Sequence, residues 1–179
     1  MKKLLSFIVI VLIITSTACS KNIDRDSTAS TSISENSNTP MATVDSAGMA
    51  DVYILALDAL MPMDKGLNSE MKYIAIDTQT LKDATDSDKK TILKYFEKYD
   101  VEIMDESMET LKTKGMVKEF STLEGILLQV VKIEKVSDSE YAIECSKFRS
   151  GDGAIGIKCV IKKENDKWAN QSTQMSWIS

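Results

Sequence analysis

Two periods of apolar spacing divide this chain near Leu123. Before it, apolar residues mostly recur at helical intervals; after it, they recur at every second position. The segment "ADVYILALDALM" (50–61) reads as a helix closed by Pro62. It carries charge only at Asp51 and Asp58, and a helix apolar nearly all round belongs inside its own domain. "DKGLN" (64–68) is a turn. "MKYIAID" (71–77) alternates as a short strand, with Tyr73 and Ala75 on one face and Ile74 and Ile76 on the other. "DSDKKTILKYFEKYD" (86–100) is the clearest helix. Asp86 or Ser87 is placed to cap it, and Ile92, Leu93, Phe96 and Tyr99 form its apolar stripe. "VEIMD" (101–105) is a second short strand. "ESMETLKTKG" (106–115) is a short helix with Gly115 in the C′ position.

Beyond Leu123 four strand patterns follow in succession: "GILLQVVKIEKV", "EYAIECSKF", "AIGIKCVIKKE" and "KWANQSTQMSWI". Turn-forming residues sit at each junction, which describes an antiparallel meander. The fold class is therefore α+β: three helices and two short strands followed by a C-terminal four-strand antiparallel meander, a curved sheet packed on helices. There is no internal repeat.

The N-terminus has a different texture. Met1-Lys2-Lys3 leads into an apolar run, Leu4 to Ile14, and then Thr15-Ser16-Thr17-Ala18-Cys19. A basic start, a short apolar run and small residues before a break make residues 1–18 a signal peptide. Eleven helical residues span roughly 16 Å, about half the hydrocarbon thickness, too short for a stable membrane span. Thr17-Ala18-Cys19 resembles the lipobox of bacterial lipoproteins, with Ser16 where Leu or Val is usual. That resemblance implies diacylglycerol on the Cys19 thiol and cleavage before it. Residues 19–48 then hold the lipidated Cys and a stalk. From 20 to 48, 11 of 29 residues are Ser or Thr, and such a segment cannot bury enough surface to order itself. Its reach is roughly 30 Å. One α+β domain fills 49–179.

Composition removes several chemistries. The 179 residues include no histidine, which excludes Ser-His-Asp and Cys-His catalysis and the Cys₂His₂ zinc site. The formal charge is −5, and there is no basic patch for nucleic acid. Cleavage removes two of 22 basic residues and leaves 27 acidic ones, a net of −7. Acyl chains, not charge, must then hold the chain to a membrane.

"RSGDGAIG" (149–156) matches the spacing G-x-G-x-x-G, but a dinucleotide loop needs a helix after it. Here Ile155, Ile157, Cys159 and Ile161 continue as a strand. The glycines are read as a hairpin loop, Ser150, Gly151, Asp152 and Gly153, of three residues centred on Asp152, with Gly153 left-handed. In that register Ile143 faces Ile161, Cys145 faces Cys159 and Lys147 faces Ile157. The facing thiols form either a candidate disulfide between Cys145 and Cys159 or two buried reduced cysteines. "DATDSD" (83–88) lacks the Gly and Glu of a calcium loop and is explained by helix capping at Asp86 and Asp88. Asp105, Glu106 and Glu109 suit the start of the third helix, while a paired-carboxylate site would need convergence across a cleft. No catalytic, cofactor-binding or metal-ligating residue is assigned. Ten methionines serve core filling or an adaptable partner surface.

From Tyr53 to Ser179 the chain resembles a family of short lipoproteins of Gram-positive bacteria with no assigned activity. The stretches that carry this are "LDALMPMDKGLNSEMKYIAID", "KYFEKYDVEIMDES", "LKTKG", "SKFRSGDGAIG" and the ending "WIS". Some members are labelled peptide ABC transporter substrate-binding proteins; such receptors are two-lobed and about three times this size, whereas this domain has room for one core. The C-terminal sheet also resembles, loosely, NTF2-like and cystatin-like domains. The resemblance and the lipobox together imply a lipid-anchored module on the extracytoplasmic face of the cell membrane. It is non-catalytic, needs no cofactor, binds no nucleic acid, and has the membrane and an envelope protein as partners. The alternative is a small-ligand pocket or hydrolase between helices and sheet.

Overall fold

The structure, a computed structural model that describes residues 48–179, is organised on one six-stranded mixed sheet. The elements in chain order are α1 (Met49–Asp58), β1 (Tyr73–Ile76), α2 (Asp86–Phe96), β2 (Glu102–Asp105), α3 (Met108–Thr113), β3 (Ile126–Ser137), β4 (Glu140–Ser150), β5 (Gly153–Glu164) and β6 (Lys167–Ile178). The strand order is β2-β1-β3-β4-β5-β6. β1 pairs in parallel with both β2 and β3, and β3 to β6 pair antiparallel. The class α+β and its meander are present. The two short strands, however, extend the same sheet instead of standing apart from it. Parallel pairing with cover on both faces explains why all four residues of β1 are buried.

The helices divide between the two faces. α1 and α2 lie on one. Val52, Tyr53, Ala56 and Leu57 of α1 and Ile92 and Phe96 of α2 are fully buried with Ile74, Ile76, Ile126, Leu128, Ile155, Ile157 and Ile161 of the sheet. Each such aliphatic or aromatic side chain gains about 1.5–3 kcal/mol from burial, and this face is the main core. On the other face, Leu111 of α3 and Leu123 cover Tyr73, Ala75 and Leu127 at the parallel end only. The buried strand β1 thus sends Ile74 and Ile76 to one core and Tyr73 and Ala75 to the other, as its alternation predicts.

Helix ends follow local chemistry. The cap of α2 is Thr85, not Asp86 or Ser87 as expected: its hydroxyl accepts from the Asp88 amide, and Asp88 reaches back to accept from the Thr85 amide in a capping box. Asp88 also accepts from the Ala50 amide at the start of α1, 3.3 Å away, so one carboxylate serves two helices. Burial pushes the Asp88 carboxyl up, but the hydrogen bonds from Thr85 and Ala50 outweigh it and hold the group below its usual range. At the end of α3, Gly115 has φ 69° and sits at C′. Its amide donates to Lys112 O and the Met116 amide to Leu111 O, a Schellman closure.

One cation lies inside the main core face. Lys147 on β4 is 0 % exposed, and its Nζ donates to Met63 O (2.5 Å), Asp64 O (3.1 Å) and Asn68 Oδ1 (2.9 Å). Arg149 donates to Leu67 O (2.8 Å) and Ser69 O (2.5 Å). These two side chains satisfy carbonyls of the irregular segment after α1, which has few backbone partners of its own.

Desolvation pulls the Lys147 ammonium down to about 8, against the weaker opposing pull of Asp64. A folded value below the unfolded one means that the unfolded chain binds more protons between about pH 8 and 10.5. This contribution to stability therefore rises with pH across that window. Lys147→Met removes it together with the three hydrogen bonds, Asp64 O keeping its bond from the Leu67 amide. The stability difference between wild type and Lys147→Met should grow by about 1.5 kcal/mol from pH 8 to 9.5 in chemical denaturation, with the tyrosine titrations cancelling in the comparison. A pH-independent difference would refute the assignment.

Candidate functional site

The β4–β5 hairpin corrects the expected register. Ile143 lies opposite Cys159, Cys145 opposite Ile157 and Lys147 opposite Ile155. The loop has two residues, Gly151 and Asp152, between the pair Ser150 and Gly153, with an irregularity at Arg149. Sliding one strand by two residues keeps every side chain on its face, so alignment of the apolar residues does not distinguish the two registers. Gly153 is not left-handed either. A Cβ there would press on Ser150 Oγ (2.6 Å) and Leu67 Cδ2 (3.2 Å), so its glycine answers crowding instead.

Cys145 and Cys159 are consequently diagonal neighbours on the main core face, both buried and both free. Diagonal pairs stand about 7–8 Å apart, beyond the usual disulfide span. Burial pushes both thiols up; at Cys159, hydrogen bonds with Thr173 and Asn170 oppose it. At pH 8 the folded chain should leave both unmodified by an alkylating agent. Both should label after unfolding without reductant, as read by peptide mass. Protection that persists in denaturant until a reductant is added would show a disulfide instead. Cys19, the expected lipidation site, lies outside the described residues.

The acidic groups do not converge. Asp105 accepts from the Thr78 hydroxyl (2.8 Å) and amide (3.3 Å), whereas Glu106 pairs with Lys114. Asp77 accepts from the Gln79 amide (3.2 Å) and Gln129 Nε2 (3.1 Å). These carboxylates close the C-terminal ends of β1 and β2. Asp58 receives the Tyr99 hydroxyl (2.5 Å), the Tyr95 hydroxyl (3.0 Å) and Lys98 Nζ (2.9 Å), which pins α1 to α2. Burial and the Asp58 hydrogen bond push the Tyr99 hydroxyl well up. Beside it lies a hollow of about 550 Å³ lined by Met61, Pro62, Lys65, Asn68, Ser69 and Tyr99. Its Asn68 and Tyr99 groups are already engaged internally.

The arrangement left open to a ligand is the face of the meander that no helix covers. Strand pairing lays it out in rows: Gln129, Ser146, Gly156 and Trp177; then Lys132, Glu144, Lys158 and Gln174; then Glu134, Ala142, Val160 and Ser172. The second and third rows line a hollow of about 430 Å³. In the first row the indole of Trp177 lies where a Cβ of Gly156 would stand, with Nε1, Cε2 and Cδ1 all in contact range. Only glycine admits that approach. The third glycine of the quoted motif is thus a seat for an aromatic ring, and the ring stays 45 % exposed. β6 carries two irregularities opposite Gly156/Ile157 and Val160/Ile161, which break its alternation and hid this placement from the sequence. Met175 and Ile178 on the same edge strand are also exposed, as is Phe120, 89 % exposed at φ 54°.

No family model matches this chain, and no curated protein or solved structure is significantly similar to it.

Proposed function

We propose that this chain is a lipid-anchored, extracytoplasmic and non-catalytic binding module of the cell envelope, accessory to an envelope complex or transporter. The observation that carries the binding reading is the uncovered, hollowed face of β3–β6 with Trp177 seated on Gly156. A sheet face with water on one side is ordinary, but here a glycine is required to seat a large, half-exposed aromatic on it, and aromatics with one apolar and one wet side are enriched at contact surfaces. Exposed Met175 and Ile178 lie opposite Ile157 and Ile155, on the helix side of the sheet, and do not add to this face. The anchor rests on Cys19 following Thr17-Ala18, and the envelope location follows from the anchor and the apolar leader. A ligand pocket between helices and sheet has less in its favour. Tyr53, Leu57, Leu60 and Phe96 are fully buried between the helices and the sheet, and the hollow of about 430 Å³ beside α1 is lined by Ile54, Leu55, Tyr95 and Trp168 among others, with no converging set of acidic groups among the described residues.

The reading is tested in cells of a Gram-positive host with a photo-crosslinking residue in place of Gln174 on the open face or Thr91 on α2, both exposed. Crosslinks to envelope material are expected from position 174 and not from 91. Cys19→Ala should shift the chain out of the membrane fraction and lower the yield. Equal labelling from both positions, or none from 174, would count against a binding face. Unchanged membrane retention of Cys19→Ala would remove the anchor.

A further inference from the structure

We infer that the uncovered face of the meander binds a neutral saccharide, with one sugar ring lying on the Trp177 indole and its neighbour in the adjoining hollow. This deepens the binding-module reading and rests on it.

The platform comes first. Three indole atoms of Trp177 overlie Gly156, so the ring lies along the sheet, one side against backbone and the other toward solvent. A flat, electron-rich ring face attracts the weakly positive C–H groups of a sugar ring, an interaction that needs no charge on the ligand. The next row, Lys132, Glu144, Lys158 and Gln174, lies two residues along the strands, about 7 Å away.

The charges on this face define the ligand further. Four lysines and four glutamates occupy it, with Glu164 opposite Lys167 in the strand register and three pairs in contact: Lys132 with Glu134 (3.3 Å), Lys158 with Glu144 (3.1 Å) and Lys162 with Glu140 (3.4 Å). The face is therefore locally neutral on a chain of net charge −5. It offers no excess of either sign to a phosphate chain or a cationic peptide. The apolar side chains near Trp177 on this face, Phe148 and Ala154 in one adjoining row and Ala142 and Val160 beyond the charged row, are small or half-buried, short of the apolar centre that a protein hot spot uses. What the face presents instead is a dense mixture of donors and acceptors. The glutamates accept, the lysines donate, and Ser172 and Gln174 do both. Each sugar hydroxyl both donates and accepts, and matches that mixture. The hollow of about 430 Å³ lies within the size range of small-ligand sites.

The test uses the full chain in detergent and tryptophan emission as readout. Chitotetraose, cellohexaose and maltoheptaose are the neutral probes, and a heparin fragment is the polyanionic control. At least one neutral probe should give a saturable shift of emission, and heparin none. Trp168→Phe should retain the titration, and Trp177→Leu, whose emission no longer reports the site, should show no binding by calorimetry. Glu144→Gln with Lys158→Met, which leaves Trp177 in place, should weaken binding roughly tenfold through lost hydrogen bonds, provided that thermal unfolding is unchanged. No shift with any neutral probe up to about 10 mM would overturn the inference, since weaker binding than that is below a useful affinity. So would equal binding by the Glu144→Gln, Lys158→Met variant, or a response to heparin alone. Crosslinking from position 174 to an envelope protein, with no saccharide binding, would leave the module standing and remove the sugar.

Discussion

The burial of α1 against the inner face of the meander is the constraint on which the other features depend. That helix has only two charged residues, and its apolar surface has to be covered nearly all round. The sheet covers it from below with Ile155, Ile157 and Ile161, and α2 covers it from the side with Ile92 and Phe96. Both ends of the helix are tied to neighbouring polar groups. Its first-turn amide at Ala50 is met by Asp88, and Asp58 takes the hydroxyls of Tyr95 on α2 and of Tyr99 in the turn that follows it. With both helices committed to one face, only the six-residue α3 is left for the other, and it reaches only the parallel end. The open face of β4–β6 is thus a consequence of how the apolar residues are apportioned.

The same constraint explains the buried lysine. The chain leaving α1 must turn back at the edge of the core, through a segment whose carbonyls have few helix or strand partners. Lys147 and Arg149 reach it from β4 and accept the desolvation of a cation in return for five carbonyl contacts. A hydrophobic residue at 147 would suit the core face better by transfer energy alone. It would also take the lysine's donors from Met63 O and Asn68 Oδ1 and leave Asp64 O only its bond from the Leu67 amide, which is what the lysine supplies in return.

Much of this was legible from spacing. The all-round apolar helix, the alternation of Tyr73 to Ile76, the Gly115 closure and all four meander strands follow from local pattern, because each depends on residues within about one turn or one strand of each other. Relations between distant segments were not legible. Nothing in "MKYIAID" or "VEIMD" shows that the two strands pair in parallel with each other, or that the first also pairs with β3. The register of β4 and β5 was off by two because faces repeat every two residues, and a slide of that size is invisible to apolar alignment. Spacing set Lys147 opposite Ile157 without showing what it binds, since its three acceptors lie some 80 residues earlier, in Met63, Asp64 and Asn68.

The glycine-rich stretch shows how local resemblance and distant cause can diverge. Gly151, Gly153 and Gly156 reproduce the spacing of a phosphate loop, yet each answers a different neighbour. Gly151 lies in the two-residue turn. Gly153 is crowded by Ser150 and by Leu67, from the segment that Lys147 and Arg149 hold. Gly156 is required by Trp177, two strands' length further along the chain. No helix follows to supply the amide dipoles that a phosphate would need, because β5 must run on through Ile157, Cys159 and Ile161 to cover α1. The requirement that closes the core on one side of β5 therefore excludes the nucleotide reading, and on the other side it leaves Gly156 free to carry the indole.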